Sequence, residues 1–436
     1  MSLLSIDRGL SRDSYYTATA PRAQRHEPLQ ASVTADVAIV GGGLAGLSAA
    51  IELAARGHSV VLLEAQEVGS GASGRNGGQA IHGLACDQST IEDELGEADS
   101  KHVWQMVQEG IDLIRERIKR FEIDCEWQDG FLGLATSECK ARDLRDWADR
   151  MAQRYDFALR WIGGKDLPEW IDSPRFKAGV YDAHSGHLHP LKYTLGLAAA
   201  ASRLGVQIYE QSPVISMEEG TTVVLRTAQG QVRASQVLLA GNVYLQEFSP
   251  QLAPQLNARI MPVGTYIVCS EPLEAERLRR LIPSRAAACD TNFVLDYFRP
   301  TADSRMLYGG GVSYTTATPR DMFERMRRQM CLSFPQLSDV KIEYAWGGFV
   351  DISMNRAPDF GRIGAAKNVY YLQGFSGHGL ALTGLAGKLV AEAMSGDAGR
   401  FDTFSQIKHL PFPGGKLMRM PALVLGTTYY RLKDLF

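Results

Sequence analysis

Glycines at positions 41, 43 and 46 stand between a short apolar stretch and a run rich in Ala and Leu. This Gly-x-Gly-x-x-Gly spacing between a strand and a helix is typical of dinucleotide-binding proteins. Gly41 would allow a tight turn, Gly43 would let the backbone approach a pyrophosphate, and Gly46 would let the helix pack closely on the strand. The first N–H groups of that helix, at Leu44 and Ala45, would then face the phosphates with the positive end of the helix dipole behind them.

An acidic residue, Glu64, ends the next apolar stretch, at the distance of about 20 residues from the glycines that this fingerprint expects. A carboxylate there would bind the hydroxyls of a ribose and repel a 2′-phosphate, which favours FAD or NAD over NADP. The alternative is an ordinary surface acid after a βαβ unit. The chain contains one such fingerprint, so a second nucleotide that would reduce the first is not indicated.

Two further glycine-rich stretches could also meet a ligand. Residues 69–79 place Arg75 and Asn76 between glycines, which suggests backbone held close to a ligand, although a flexible linker is the alternative. Residues 374–379 lie between an apolar strand at 369–372 and a helix at 380–394, so a second helix N-terminus could contact a ligand. Gly396 is expected to follow the end of that helix as a cap.

The composition excludes several classes of protein. Hydrophobic residues make up 45% of the 436-residue chain, charged residues make up 22%, and the net charge is −3, so no nucleic-acid partner is expected. Apolar runs are too short or too interrupted for an integral membrane segment. The six cysteines are scattered, which favours reduced thiols and a cytoplasmic location. The turn that holds His184, His187 and His189 offers no convincing third ligand, so no metal is expected.

The elements that must position these stretches follow from hydrophobic periodicity. Residues 34–64 form a βαβ unit, residues 89–160 are predicted to be helical, and residues 161–190 are predicted to turn to strands. A helix and several strands in residues 191–239 lead to Ala240 and Gly241, where the sheet is expected to return to the nucleotide. Residues 255–350 alternate strand patterns with turns and suggest an antiparallel sheet above a pocket.

The combination of these motifs resembles one known family. The glycines at 41, 43 and 46, Glu64, the Gly-Ala-Ser-Gly-Arg-Asn-Gly-Gly run at 71–78 and the Gly-Phe-Ser-Gly-His-Gly run at 374–379 together resemble the D-amino-acid-oxidase-type FAD oxidoreductases. Similarity extends from Ser14 over nearly the whole chain and includes residues 114–120, 295–297, 307–311 and 412–415.

The resemblance implies the fold class α/β, α+β overall. A Rossmann-like FAD-binding domain would pair with a second, mixed antiparallel-sheet substrate domain. The implied division is an N-terminal arm at 1–33, a discontinuous FAD-binding domain at 34–90, 160–250 and 350–400, a substrate domain at 91–159 and 251–349, and a C-terminal tail at 401–436.

The resemblance also implies the site residues. Residues expected to bind FAD are Gly41, Gly43, Leu44, Ala45, Gly46, Glu64, Ala65, Gly71, Ala72, Ser73, Gly74, Arg75, Asn76, Gly77, Gly78, Gln79, Val214, Ala240, Gly241, Gly348, Gly374, Gly377 and Leu380. Residues expected to act at the reacting atoms are His378, Gly379, Tyr266 and Tyr297. FAD is expected to be non-covalent, because residues 349–359, where some relatives carry an attaching Cys, contain none.

The implied activity is FAD-dependent oxidation of the CH–NH bond of a small amine, γ-glutamylputrescine or a related polyamine derivative, to an imine and then an aldehyde. Oxygen or another carrier would accept the electrons. Arg356 could hold a substrate carboxylate, or pair with Asp351 or Asp359. Two alternatives stay open: oxidation of a cyclic or N-methyl amino acid such as pipecolate or sarcosine, and, more remotely, a non-catalytic flavin-bound assembly protein.

Overall fold

The structure, a computed structural model, describes residues 3–11, 14–313 and 321–413 of the chain. The described residues form two β-sheets with helices packed against them, and each sheet has its own apolar core. Most of the predicted C-terminal tail, from residue 414 onward, lies outside the described residues.

The strands, numbered in chain order, are β1 Ser32–Val40, β2 Val60–Leu63, β3 Gln79–Ala80, β4 Gln128–Ala135, β5 Arg160–Ile162, β6 Ala178–His187, β7 Gln207–Tyr209, β8 Ser216–Glu218, β9 Val223–Arg226, β10 Gln231–Leu239, β11 Ile260–Ser270, β12 Ala287–Asp290, β13 Tyr297–Pro300, β14 Met306–Ser313, β15 Ile342–Ser353, β16 Asp359–Ile363 and β17 Val369–Gln373. The α-helices are α1 Leu3–Leu10, α2 Tyr15–Thr19, α3 Leu44–Ala55, α4 Gln88–Leu95, α5 Glu97–Phe121, α6 Glu138–Tyr155, α7 Pro190–Arg203, α8 Leu245–Phe248, α9 Pro254–Asn257, α10 Ala275–Leu281, α11 Met322–Ser333, α12 Gly379–Met394 and α13 Gly399–Ser405. Among the helices of the described ranges, none combines the length and the apolar composition needed to cross a membrane.

The first sheet contains the predicted βαβ unit. Its strand order is β16-β17-β10-β1-β2-β7, and β8 and β9 extend it from β10. Strand β1 pairs in parallel with β2 and β10, and β10 pairs in parallel with β17. All of β2 is buried, as expected for parallel strands covered on both faces. The carboxyl ends of β1, β2, β10 and β17 therefore meet at one edge of the sheet, where α/β proteins bind ligands.

Helices α3 and α12, which begin at that edge, pack closely on each other. A Cβ at Gly387 would lie 2.5 Å from Cβ of Ser48. The Ser48 hydroxyl donates a hydrogen bond of 2.5 Å to the carbonyl of Gly384. Gly387 thus lets the two helices approach to backbone contact, and the Ser48 hydrogen bond fixes their relative position.

The second sheet has the order β15-β11-β14-β13-β12-β4-β6-β3, and β5 pairs with β6. Its pairings are antiparallel except for β4 with β12, so the expected mixed antiparallel sheet is confirmed. One face packs on an apolar core that includes Met326, Met330 and Phe334 of the α11 region. The opposite face is left to cover the ligand-binding edge of the first sheet.

Two predicted segments lie elsewhere than expected. Helix α5, within the predicted substrate segment 91–159, contributes Ile111 and Ile114 to the core beneath the first sheet. Strands β5 and β6, within the predicted FAD-binding segment 160–250, pair in the second sheet. Strand β4 also interrupts the 89–160 region predicted as helical. Periodicity identifies an apolar face, but it does not identify the sheet that this face covers.

The N-terminal arm is more regular than its polar sequence indicates, because it contains α1 and α2. Tyr15 and Tyr16 of α2 are buried against the second sheet. Asp7 of α1 forms an ion pair of 2.7 Å with Arg75 and accepts a hydrogen bond from the hydroxyl of Tyr244. The arm is therefore attached to the glycine-rich loop that follows β2.

Candidate active site

A cavity of about 460 Å³ lies between the two sheets. It is lined by the first turns of α3 and α12, by the loop at residues 72–79, and by β11 and β15. A second cavity of about 100 Å³ shares Gly43, Ala72, Ser73 and Ala240 with the first and extends to Glu64. Together they form one elongated cleft along the carboxyl edge of the parallel strands.

The glycines of the fingerprint turn have separate roles. Gly41 has a φ of +116°, and a Cβ there would lie 2.5 Å from the carbonyl oxygen of Ala240. A Cβ at Gly46 would overlap the carbonyl of Gly41. At Gly43 a Cβ would instead meet a side chain, the hydroxyl of Ser73 at 2.8 Å. Gly41 and Gly46 thus leave room for the backbone of the turn, whereas Gly43 lines both cavities and keeps the cleft open.

Glu64 is half-buried at the far end of the cleft, in the wall of the smaller cavity. Its Oε2 accepts a hydrogen bond of 2.6 Å from the N–H of Gly42, and its Oε1 accepts one of 2.9 Å from Gln66. Burial raises the pKa of the Glu64 carboxyl, and the nearby charge of Glu210 acts in the same direction. The carboxylate is held against the glycine turn, so it is more than a surface acid.

The loop at residues 71–79 is fixed from several sides. The Asn76 side chain donates to the carbonyls of Ala72 and Ser73 and accepts from the N–H of Gly78. The Trp346 ring nitrogen donates to the carbonyl of Arg75 at 2.9 Å. These bonds do not fit a flexible linker, because each of them removes conformational freedom from the loop backbone.

The turn before α12 is held by a buried carboxylate. Asp351 accepts hydrogen bonds from the N–H groups of Gly374 and Phe375. Burial raises the pKa of Asp351 to about 6. At the other end of the turn, the His378 Nε2 lies 2.8 Å from the carbonyl oxygen of His82, and burial lowers the pKa of His378 to about 4. His378 is therefore neutral near pH 7, and its Nε2 donates a hydrogen bond to the carbonyl of His82.

The comparisons with known proteins agree with this geometry. The family model of FAD dependent oxidoreductases (DAO) matches residues 36–393. The chain belongs to this family.

Gamma-glutamylputrescine oxidoreductase of Escherichia coli (strain K12) is 41% identical over 97% of this chain and 98% of its own length. "Probable oxidoreductase OrdL" of Haemophilus influenzae is 40% identical, and the match covers 97% of each protein. Glycine oxidase from Bacillus cereus ATCC 14579 has the same fold, with a TM-score of 0.70 at 22% identity over 87% of this chain and 99% of that one.

The chain is thus a FAD-dependent oxidoreductase, and the cleft fits the cofactor. The smaller cavity, with Glu64, Ala65 and Val214 in its wall, would hold the adenosine, and the shared stretch at Gly43 would hold the pyrophosphate. The larger cavity, at the Gly377–Gly379 turn, would hold the flavin. Helix α12 begins without a side-chain hydrogen bond from its N-cap residue, His378, so its first N–H groups are available to a ligand.

The two tyrosines proposed to act at the reacting atoms differ in position. Tyr297 lines the larger cavity, and its ring packs against the loop, where a Cβ at Gly77 would lie 2.6 Å away. Tyr266 is buried in the second core against Phe323, on the face of β11 that points away from the cavity. Its neighbours Thr265 and Ile267 line the cavity instead, because successive side chains of a strand point to opposite faces. Tyr266 therefore has no place among the residues that contact the reacting atoms.

Most of the residues predicted from the sequence come together around the cleft. The larger cavity is lined by Gly43, Leu44, Ala45, Ala72, Ser73, Arg75, Asn76, Gly77, Gln79, Ala240, Gly348, Gly377, His378, Gly379, Leu380 and Tyr297. The smaller cavity adds Gly41, Glu64, Ala65, Gly71, Val214 and Gly241. Predicted binding glycines outside both linings are Gly46, Gly74, Gly78 and Gly374. These four glycines act through the backbone: Gly78 and Gly374 have positive φ, and Cβ atoms at Gly46 and Gly74 would overlap backbone carbonyls.

Sequence reasoning missed several cavity residues. The wall beneath the second sheet is formed by Met261, Val263, Thr265 and Ile267 of β11, Cys289 of β12, and the Phe293–Leu295 segment. Side chains alternate between the two faces of β11, so the sequence indicated which residues share a face. It did not indicate which of the two faces would line the cavity. Asn242, directly after the predicted Ala240 and Gly241, also lines both cavities and has a φ of +53°.

Arg356 is part of the wall of the larger cavity. Its guanidinium lies 5.4 Å from the centre of the Phe293 ring. Phe293 and Met354, which also line the cavity, are 37% and 48% exposed, so this part of the wall is at the cavity mouth. The sequence suggested Asp351 and Asp359 as structural partners of Arg356. Asp351 accepts a hydrogen bond from the N–H of Gly374 in the turn before α12, and Asp359 forms an ion pair of 3.4 Å with Arg259.

The three clustered histidines are separated by the fold. His184 contacts Asp112, the Nε2 of His187 donates to the carbonyl of Arg285, and His189 accepts a hydrogen bond from the N–H of Lys192 at the start of α7. Within the described ranges, no group of His, Cys, Asp and Glu side chains is arranged to hold a metal ion.

Proposed function

We propose that this enzyme oxidises the CH–NH bond of a small amine that also carries a carboxylate, with γ-glutamylputrescine or a related polyamine derivative as the substrate. The observation that carries the proposal is a single cavity that joins the first turn of α12 to an apolar wall and to Arg356 at its mouth. The relative named gamma-glutamylputrescine oxidoreductase supports this substrate class, since its 41% identity extends over nearly the full length of both chains.

Bound FAD would supply the hydride acceptor for the amine carbon. The protein would supply orientation and a dry environment. Met261, Val263 and Ile267 present apolar side chains to the cavity, suited to the methylene chain of a diamine. Desolvation lowers the pKa of an amine, so this wall would favour the neutral amine that can donate a hydride.

Arg356 would bind the carboxylate of the glutamyl group. Its planar guanidinium can hold a carboxylate through two parallel hydrogen bonds. Its place at the mouth suits a long substrate whose amine enters first and whose carboxylate stays near solvent. Arg75, another arginine of the lining, contacts both carboxylate oxygens of Asp7.

Anaerobic mixing with a panel of amines tests the proposal. We expect γ-glutamylputrescine to bleach the flavin absorbance fastest, free putrescine more slowly, and pipecolate and sarcosine slowest. Fast bleaching by pipecolate or sarcosine would instead assign the enzyme to cyclic or N-methyl amino acids. If no amine in the panel reduced the flavin, the non-catalytic assembly role would replace an enzymatic one.

The electron acceptor and the compartment complete the proposal. We propose oxygen or another carrier as the electron acceptor. Comparing how fast the amine-reduced enzyme is re-oxidised by air and by a quinone would distinguish the two. A cytoplasmic location is supported by the cysteines, all of which lie in the described part of the chain and are free thiols.

A further inference from the structure

Arg299 of β13 lies directly behind the loop that lines the flavin cavity. Its side chain is 2% exposed, and its Nε donates a hydrogen bond of 2.8 Å to the carbonyl of Gly77. A Cβ at Gly78 would lie 3.0 Å from its Nη2. Because Gly77 itself lines the cavity, a single peptide unit separates this guanidinium from the bound cofactor.

The contacts of Arg299 leave its charge without a carboxylate. Its other hydrogen-bonding neighbours are the hydroxyl of Tyr16 at 3.1 Å, the carbonyl of Pro300 and the Nδ1 of His187, both at 3.5 Å. Among the residues that the structure describes, no Asp or Glu forms an ion pair with it, whereas the nearby Arg305 contacts both Asp303 and Glu343.

No neighbouring side chain neutralises this charge by ionising. Burial raises the pKa of the Tyr16 phenol, so it stays protonated beside Arg299. Burial and the Arg299 charge lower the pKa values of His187 and His189 to about 3, so both rings are neutral. A buried cation without a counter-ion is costly, so a negative charge bound or formed nearby would stabilise it.

We propose that Arg299 is an electrostatic positioning residue whose charge is balanced by the negative charge that the flavin gains on reduction. The carbonyl of Gly77 fixes the guanidinium at the back of the loop, and its field crosses one peptide unit in an interior of low polarity. Arg299 would thereby raise the reduction potential of the flavin. The inference rests on membership of the FAD family and is independent of which amine is the substrate.

The test uses the FAD-loaded enzyme and two readouts that do not depend on turnover. One is the midpoint potential of the flavin, measured by dye-coupled reduction. The other is the dissociation constant of sulfite, whose sulfur bonds to N5 of oxidised flavin and leaves a negative charge on the ring. We compare Arg299→Gln, which removes the charge, with Arg299→Lys, which keeps it. The matched control is Arg305→Gln, which removes a buried arginine that has carboxylate partners.

Arg299→Gln should lower the midpoint potential and weaken sulfite binding by about tenfold, the scale of one charge acting over several ångströms at intermediate polarity. Arg299→Lys and Arg305→Gln should keep sulfite binding within about twofold of the parent, because the charge facing the loop is kept in both. An unchanged potential in FAD-loaded Arg299→Gln would overturn the proposal. An equal loss in Arg299→Lys would also overturn it, since geometry rather than charge would then be responsible.

Tyr16→Phe provides a second variant in case Arg299→Gln does not hold FAD. It removes a neutral hydrogen-bond partner from the guanidinium and leaves the charge in place. The charge proposal expects the midpoint potential and the sulfite dissociation constant of Tyr16→Phe to match the parent enzyme. A fall in the midpoint potential of Tyr16→Phe below that of the parent enzyme would contradict it.

Discussion

At the scale of single residues, the position of Gly43 makes a direct prediction. Its Cβ would enter the cleft beside the Ser73 hydroxyl rather than collide with backbone. Gly43→Val should therefore fold and lose FAD, because the side chain would occupy the space of the pyrophosphate. The ratio of flavin to protein absorbance after purification measures the loss. A normal yellow protein would show that the pyrophosphate does not bind at Gly43.

Gly46→Val is the matched comparison. A Cβ at Gly46 would overlap the carbonyl of Gly41, so this variant should lose thermal stability as well as FAD. The pair separates a glycine that makes room for the ligand from a glycine that makes room for the backbone.

Arg356 gives a prediction about substrate specificity. Arg356→Gln should raise KM for γ-glutamylputrescine by about 10- to 100-fold, the effect of losing a charge-assisted hydrogen-bonding pair. Oxidation of free putrescine, which lacks a carboxylate, should change little. Arg362→Gln is the control, because Arg362 also lies over an aromatic ring, that of Tyr370 at 5.0 Å, but does not line the cavity. Equal effects on both substrates would argue against a carboxylate site.

At the scale of elements, the first turn of α12 is the second helix N-terminus in the cleft. Its N–H groups would stabilise the negative charge that reduction places on the flavin. Gly379→Pro removes one of these donors from the first helical position, where the lost N–H breaks no hydrogen bond within the helix. It should lower the flavin midpoint potential and slow anaerobic reduction by about 10²- to 10³-fold. An unchanged midpoint in the FAD-loaded variant would mean that this turn does not touch the flavin.

Gly399→Pro controls for the general effect of proline at a helix start. Gly399 is the first residue of α13, as Gly379 is of α12, and both follow a residue with non-extended ψ. The two variants share the same conflict between proline and the preceding residue. Only Gly379 lines the cavity, so only Gly379→Pro should change the flavin.

At the scale of the whole molecule, the cleft predicts how FAD is retained. Cys289 lines the larger cavity, but its thiol donates to Gln79 and burial raises its pKa, which keeps it protonated and unreactive. His82 lines neither cavity, and its Nδ1 lies 2.8 Å from Asp182. Acid precipitation should therefore release all of the yellow colour into the supernatant. Colour that stays in the pellet of the parent enzyme but not of Cys289→Ser would identify an unexpected covalent link.

Features set by neighbours in the chain could be predicted from the sequence. The βαβ unit, the glycine spacing with Glu64, and the strand–turn–helix at residues 369–394 all depend on contacts within a few residues or within one supersecondary unit. The family and its cofactor followed from those local patterns, and the family model confirms them.

The tertiary structure decided which side chains share the cleft. Thr265 rather than Tyr266 faces the cavity, because a strand alternates regularly but its buried face depends on which sheet covers it. Asp351 reaches Gly374, and Arg299 reaches Gly77 across more than half of the chain. The hydrophobic periodicity of the sequence does not indicate which residues form such hydrogen bonds. These pairs depend on how the two sheets pack together, because polar groups buried by that packing must find hydrogen bonds with whatever groups lie beside them.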